Sequence, residues 1–124
     1  MPLEMINPHP TVPLSGAMRV GNQLFVSGQV GYAPGSREIA PGGVAGQTRQ
    51  TLENIRAILE KAGSSVDKVI KTTVFLTDIQ RDFATMNQVY AEFFGSHRPA
   101  RSTVGVSLAR PGLEVEIECV ALIE

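Results

Sequence analysis

The last ten residues, "VEIECVALIE", constrain the fold of this chain most. Val115, Ile117, Cys119, Ala121 and Ile123 alternate onto one face of a strand, while Glu116, Glu118, Val120 and Leu122 fall on the other. The pattern upstream predicts two helices, and two helices cover one face of a sheet and only one. Val120 and Leu122 would then stand in water on a lone chain. An apolar second face predicts another subunit.

The rest of the chain supplies the partners of that strand. Residues 1–15 carry prolines at positions 2, 8, 10 and 13 and read as an extended arm with little regular structure. In "AMRVGNQLFVSGQV", two apolar-alternating runs flank Gly21-Asn22, which suits a two-residue hairpin turn. A Gly/Pro-rich loop follows, and then the clearest helix, "VAGQTRQTLENIRAILEKAG". Val44, Thr48, Leu52, Ile55, Ile58, Leu59 and Ala62 form its stripe, and Gly63 stops it. "VIKTTVFLTD" is rich in β-branched residues and reads as a strand. Asp82 is placed to cap a second helix, "FATMNQVYAEFF", with Phe83, Met86, Tyr90 and Phe93 on one face and Gly95 as its terminator. "RSTVGVSL" and the last strand follow, split by a turn at Arg110-Pro111-Gly112 and expected to pair. The predicted order is ββαβαββ, in a single domain over residues 1–124.

Composition excludes several classes of function. Of the 124 residues, 43% are hydrophobic and 19% charged, which fits a globular protein and not a disordered one. A net charge of −1 gives no basic footprint for nucleic acid. The start "MPLEMINPHP" lacks the basic and apolar regions of a secretory signal, and no run approaches the ~18 apolar residues of a membrane helix. With Cys119 as its single cysteine the chain forms no internal disulfide. These features predict a cytoplasmic protein away from membranes. His9 and His97 have no metal-ligand spacing around them, so no metal site is expected.

One stretch raises a chemical question. "RPARSTVGVS" puts Arg101 at the head of an uncharged, half-apolar strand, where a guanidinium is costly unless an anion meets it. Glu116 and Glu118 share one face of the last strand, and by pattern alone a structural Arg–carboxylate pair outranks a catalytic one. Ser27, before Gly28-Gln29, has no nucleophile elbow around it. Asn87 sits beside the apolar stripe of the second helix, as a surface or an interface residue. Cys119 reads as a core residue.

Five segments together resemble the Rid (YjgF) family of reactive-intermediate deaminases. They are "FVSGQV" (25–30), "QTLENIRAILEKAGSSVDKVIKTTVFLTD" (50–78), "FATMNQVYAEFF" (83–94), "PARSTVGV" (99–106) and "VEIECVAL" (115–122), in family order. The resemblance implies an α+β, chorismate-mutase-like fold: one mixed β-sheet with two helices on one face, assembled as a homotrimer with small-ligand clefts between subunits. It implies that Arg101 binds a substrate carboxylate and that Glu116 is the cleft glutamate, the two catalytic residues. Ser27, Asn87, Thr103 and Leu14 complete the expected substrate-binding set. The implied reaction is hydrolysis of imines and enamines of the 2-aminoacrylate type to 2-keto acids and ammonia, without metal or organic cofactor. The chain departs from the family pattern in three places. Leu14 stands where archetypal members carry a tyrosine, Thr103 where a cysteine is common, and the loop at 95–100 is short. These departures keep two alternatives open: a non-catalytic module that binds small carboxylates, and a hydrolase with a different imine or amide substrate.

Overall fold

A computed structural model describes residues 2–123. Three strands come first: β1 (Leu3–Pro8), β2 (Ser15–Val20) and β3 (Gln23–Val30). The helix α1 (Gly43–Lys61), the strand β4 (Val69–Leu76), the helix α2 (Ile79–Phe94) and the strands β5 (Ala100–Gly105) and β6 (Val115–Leu122) follow. The six strands form one mixed sheet in the order β1-β2-β3-β6-β4-β5. Only β4 and β5 run parallel. The fold is therefore α+β, with six strands where the sequence pattern predicts five. Among the described residues no helix is long and apolar enough to cross a membrane.

The extra strand corrects the expectation of an irregular N-terminal arm. Residues 3–8 pair with β2 in antiparallel register, Leu3 opposite Val20 and Ile6 opposite Ala17. The prolines mislead because they punctuate the strand and do not interrupt it. Pro2 precedes it, Pro8 ends it, and Pro10 and Pro13 lie in the loop beyond. An edge strand tolerates proline because one row of its amides has no ladder partner. Ile6 is the arm's buried anchor. At the next turn Gly21 carries φ +60°, which is the positive-φ position of the predicted hairpin.

A second correction concerns strand pairing. The last two strands do not pair: β5 lies against β4, and β6 runs between β3 and β4. β4, α2 and β5 form a crossover unit, so β5 returns parallel to β4 on the outer edge of the sheet. The short 106–114 connection carries the chain from that edge past β4 to the middle of the sheet.

The core lies between α1, α2 and the inner face of the sheet. Leu52, Ile55 and Leu59 of α1, Met86 of α2, Val74 and Leu76 of β4, and Val115 and Ile117 of β6 are all at most 1% exposed. Each such side chain contributes roughly 1.5–3 kcal/mol by leaving water. α2 is capped by Asp78, not Asp82. The Asp78 carboxylate accepts from the Arg81 amide at 3.2 Å. Asp82 is instead buried in the first turn, where the Arg81 guanidinium meets it at 2.8 Å and Glu114 at 2.6 Å. The buried stripe of α2 is Met86, Val89, Tyr90 and Phe94, while Phe83 remains 40% exposed.

The other face of the sheet is left open. Cross-strand register lines up Met5, Met18, Phe25 and Val120 in one row over four strands. Met5 is 63% and Phe25 44% exposed there. On β6, Glu116, Glu118, Val120 and Leu122 point to this face, as the alternation predicts. The strand ends at Leu122, and Glu124 lies outside the described residues.

The entry into α1 offers a direct test of the packing. A Cβ on Gly46 would sit 1.8 Å from the Pro41 carbonyl oxygen, so the first turn folds back onto the preceding loop only if residue 46 has no side chain. Gly46→Ala, a change that ordinarily favours a helix, should here destabilise by roughly 1–3 kcal/mol. Urea denaturation should show a lower midpoint at unchanged slope.

Candidate functional site

The residues named by the sequence divide into two groups on the chain. Arg101, Thr103 and Asn87 lie at one edge. Arg101 and Thr103 alternate onto the helix side of β5, opposite Thr72 and Val74 of β4. The Arg101 guanidinium lies 4.8 Å from the centroid of the Tyr90 ring and 5.8 Å from that of Phe83, and it approaches the Met86 sulfur at 4.0 Å. Two aromatic rings in this range hold a cation by their quadrupoles. The Tyr90 hydroxyl is fixed in turn by Thr72 Oγ1 at 2.7 Å. Asn87, Tyr90, Phe94, His97 and Arg101 line one cavity of about 420 Å³. Among the described residues no carboxylate comes within ion-pair distance of Arg101.

Leu14, Ser27 and Glu116 form the second group. β3 bulges against β6 between Val26 and Gln29, so Ser27 and Gly28 fall out of ladder register. Ser27 Oγ donates to the Ser15 carbonyl at 2.6 Å and ties the bulge to β2. Gly28 gives Glu116 its place: a Cβ there would meet Glu116 Oε2 at 2.0 Å, so the carboxylate lies directly over the glycine backbone. Burial first, and the neighbouring Glu118 charge second, push the Glu116 carboxyl above the ordinary carboxylate range. Leu14 is 52% exposed at the end of the 9–14 loop. It lines a larger cavity of about 750 Å³ with Gly28, Tyr32, Asn54 and Ile58.

The expected ion pair between Arg101 and Glu116 or Glu118 is not formed within the chain. β4 separates β5 from β6, and the alternation sends Arg101 to the helix side and both glutamates to the open face. The two groups therefore stand apart on the chain. One presents a cation on an aromatic bed. The other presents a carboxyl with a raised pKa directly over a glycine. Cys119 is buried and its thiol is pushed up to about 12, chiefly by burial, which removes it from nucleophilic chemistry.

Several contributors escape a reading of motifs. Gly28 carries a signal, because an isolated glycine in a strand marks a bulge or a close approach. Tyr90 and Phe83 read as core-facing helix residues, and nothing local announces that their rings receive Arg101. Gln47, buried in α1, donates to the Gly112 carbonyl at 3.0 Å and accepts from the Glu114 amide at 2.8 Å, which fixes the entry into β6. Asn54 donates to the carbonyls of Val30 and Tyr32 and anchors the end of β3 to α1.

Comparisons with known proteins agree with this architecture. The family model described as Endoribonuclease L-PSP matches residues 5–123. A RutC family protein of Pyrococcus horikoshii is 51% identical over 114 residues, covering 92% of this chain and 90% of its own length. The human protein named 2-iminobutanoate/2-iminopropanoate deaminase is 42% identical over 110 residues, covering 89% of this chain and 80% of its own length. A solved Rid-family structure from Yersinia pestis matches with a TM-score of 0.89 at 38% identity, covering 98% of this chain and all of that one. With the match spanning both groups of residues and all but the ends of the chain, this protein belongs to the Endoribonuclease L-PSP family, the YjgF/Rid proteins.

Proposed function

We propose that the protein hydrolyses small carboxylate-bearing imines, in balance with their enamines, to 2-keto acids and ammonia, at clefts completed between the subunits of a homotrimer. The observation that carries this proposal is Arg101. Its guanidinium is held in place by Tyr90 and Phe83 yet has no carboxylate partner among the described residues. A planar fork without a counter-ion suits a bidentate substrate carboxylate. The deaminase name borne by mammalian relatives at 41–44% identity supports the same chemistry.

In the proposed cleft, Arg101 of one subunit faces the Glu116 half-site of the next. Arg101 fixes the carboxylate and with it the imine carbon. Water adds to that carbon as the C=N π electrons move to nitrogen. Glu116 takes one proton from the water and gives it to the nitrogen, forming the tetrahedral carbinolamine, then carries the hydroxyl proton to the same nitrogen as the C–N bond breaks, which leaves the keto acid and ammonia. A raised pKa suits a group that must both accept and release a proton near neutral pH. Thr103 lies beside Arg101 on the same face, and Ser27 and Asn87 stand as polar contacts on the two halves. Leu14 makes the wall more apolar than a phenol would. Subunit association covers the open sheet face with its row of Met5, Met18, Phe25 and Val120. RNA cleavage, the activity in the name of the matched family model, fits less well. The net charge is −1, and His9 and His97 line different cavities, so no histidine pair serves acid–base work on a phosphate.

The direct test is release of ammonia and keto acid from freshly generated 2-aminoacrylate. Arg101→Ala should lower kcat/KM about a hundredfold or more, since two charge-assisted bonds of roughly 1.5–3 kcal/mol each are lost. Arg101→Lys should not restore it. Full activity in Arg101→Ala would remove the anchor. Wild-type protein that binds small carboxylates at Arg101 without turning over any imine would leave a binding module.

The pH profile tests the role of Glu116. As a base it acts in the ionised form, so kcat/KM should fall as pH drops through a pKa above that of an ordinary glutamate. Glu118→Gln removes the neighbouring like charge and should move that limb to lower pH. An unmoved limb would mean that Glu116 does not set it.

Assembly is tested separately. Light scattering at micromolar concentration should give about three times the chain mass of 13.3 kDa. A stable monomer would remove the shared cleft.

A further inference from the structure

The loop between β3 and α1 carries a cluster that imine hydrolysis does not use. Two guanidiniums converge on one tyrosine. The Arg110 guanidinium carbon lies 5.5 Å from the centroid of the Tyr32 ring, and that of Arg37 lies 5.9 Å from it. Like charges brought together on one ring repel, and the quadrupole of that ring offsets them only in part. Among the described residues neither arginine has a carboxylate within ion-pair distance. Glu38, the loop's own acid, is exposed and engages Ser36 Oγ only through its backbone amide. The cluster is nevertheless built firmly. Arg110 Nη1 donates to the Arg37 carbonyl at 2.6 Å, Tyr32 bridges to Ile39, and Asn54 holds the Tyr32 carbonyl at 3.0 Å. Each guanidinium has five N–H donors, and the bond to the Arg37 carbonyl uses one of the ten.

We infer that Tyr32, Arg37 and Arg110 form a binding site for a doubly charged phosphate, free or carried on a small monoester. Two guanidiniums gathered at one tyrosine offer planar donor sets for the oxygens of such a group, and two positive charges match a dianion better than the single charge of a carboxylate. Tyr32, Ser36 and Arg37 line one end of the cavity of about 750 Å³, and Val12, Leu14 and Ile58 line its apolar remainder. The volume falls in the range of small-molecule sites, with a polar anchor at one end and room for an apolar body. The charged anchor uses neither Arg101 nor Glu116, so loss of phosphate binding in variants of Arg37 and Arg110 is read apart from imine hydrolysis, although Leu14 borders both.

The tyrosines provide a reporter. Tyr32 and Tyr90 are the only two in the chain. The Tyr32 phenol lies below its usual range because the Arg110 guanidinium, and after it that of Arg37, favours the phenolate. Burial pushes the Tyr90 phenol up. An absorbance titration therefore resolves Tyr32 first.

The experiment is calorimetric titration of the full chain with inorganic phosphate, phenyl phosphate and acetate at constant ionic strength and pH 8. Phosphate should bind at one site per chain and move the Tyr32 titration to higher pH, because a dianion beside the phenol disfavours the phenolate. Arg110→Gln and Arg37→Gln should each weaken binding about tenfold or more. Arg37→Gln keeps the backbone carbonyl that Arg110 bonds, so it separates loss of charge from loss of the loop. Tighter binding of phenyl phosphate would identify a monoester with an apolar body, and equal binding would identify free phosphate. Absence of phosphate binding, binding unchanged in both variants, or an equal shift of the Tyr32 titration by acetate would overturn the inference.

Discussion

The position of β6 decides everything else in this molecule. It enters the sheet between β3 and β4, antiparallel to both, and its inner face of Val115, Ile117, Cys119 and Ala121 is at most 3% exposed. That burial requires both helices on the same side. It also fixes what the outer face can show. The register that seats Ile117 against Val74 sets Glu116 opposite Phe75 and Val30, over the bulge at Ser27-Gly28. Because β6 occupies the middle, β5 is displaced to the edge, and Arg101 goes with it. One strand's placement thus separates the cation from the carboxyl that a linear reading of the sequence puts together.

Much of this fold is legible in the sequence because local signals and tertiary needs agree. The α1 stripe, the Gly21 turn, the β4 run and the alternation of β6 are each dictated by periodicity and turn chemistry, and each appears where those signals put it. What is not legible is order within the sheet. Alternation assigns a face to Glu116 but no neighbour, and a short connection suggests pairing where β5 instead returns parallel to β4 on the outer edge and β6 pairs with β3 and β4. The N-terminal strand is missed for a different reason: four prolines mask a six-residue run that needs only one buried side chain, Ile6, to hold it. Asp78 and Asp82 show a third limit. Both satisfy the cap rule by type, and the choice is made by Arg81 and Glu114, which bury Asp82 as a paired acid.

The candidate site is legible as chemistry and not as geometry. A lone arginine heading an uncharged strand announces an anion, and "VEIE" announces a carboxyl on the outer face. The supports of both are invisible locally. Arg101 depends on Tyr90 and Phe83, eleven and eighteen residues upstream in a helix whose stripe reads simply as core. Glu116 depends on Gly28, on a different strand, and only the absence of a side chain there admits it. Such dependencies are pairwise in space, and single-residue reasoning reaches them only through glycine, whose exclusion of a Cβ is itself a statement about a neighbour.

Separating the two charged groups has an energetic consequence. The raised pKa of Glu116 means that the folded chain favours its protonated form. Its contribution to stability is present below the unfolded pKa and is lost as pH rises through the folded one. At neutral pH the lone chain therefore bears the cost of ionising Glu116 beside Glu118, while Arg101 is met only by aromatic rings. Each half-site is unsatisfied in the sense opposite to the other. In the proposed assembly, bringing the cation of one subunit toward the carboxyl of the next relieves both at once. With both groups ionised that space is already neutral, and a substrate carboxylate bound at Arg101 adds one negative charge to it. That added charge raises the proton affinity of Glu116 further, so the same electrostatics that favours association readies the ionised carboxylate to take the proton of the attacking water.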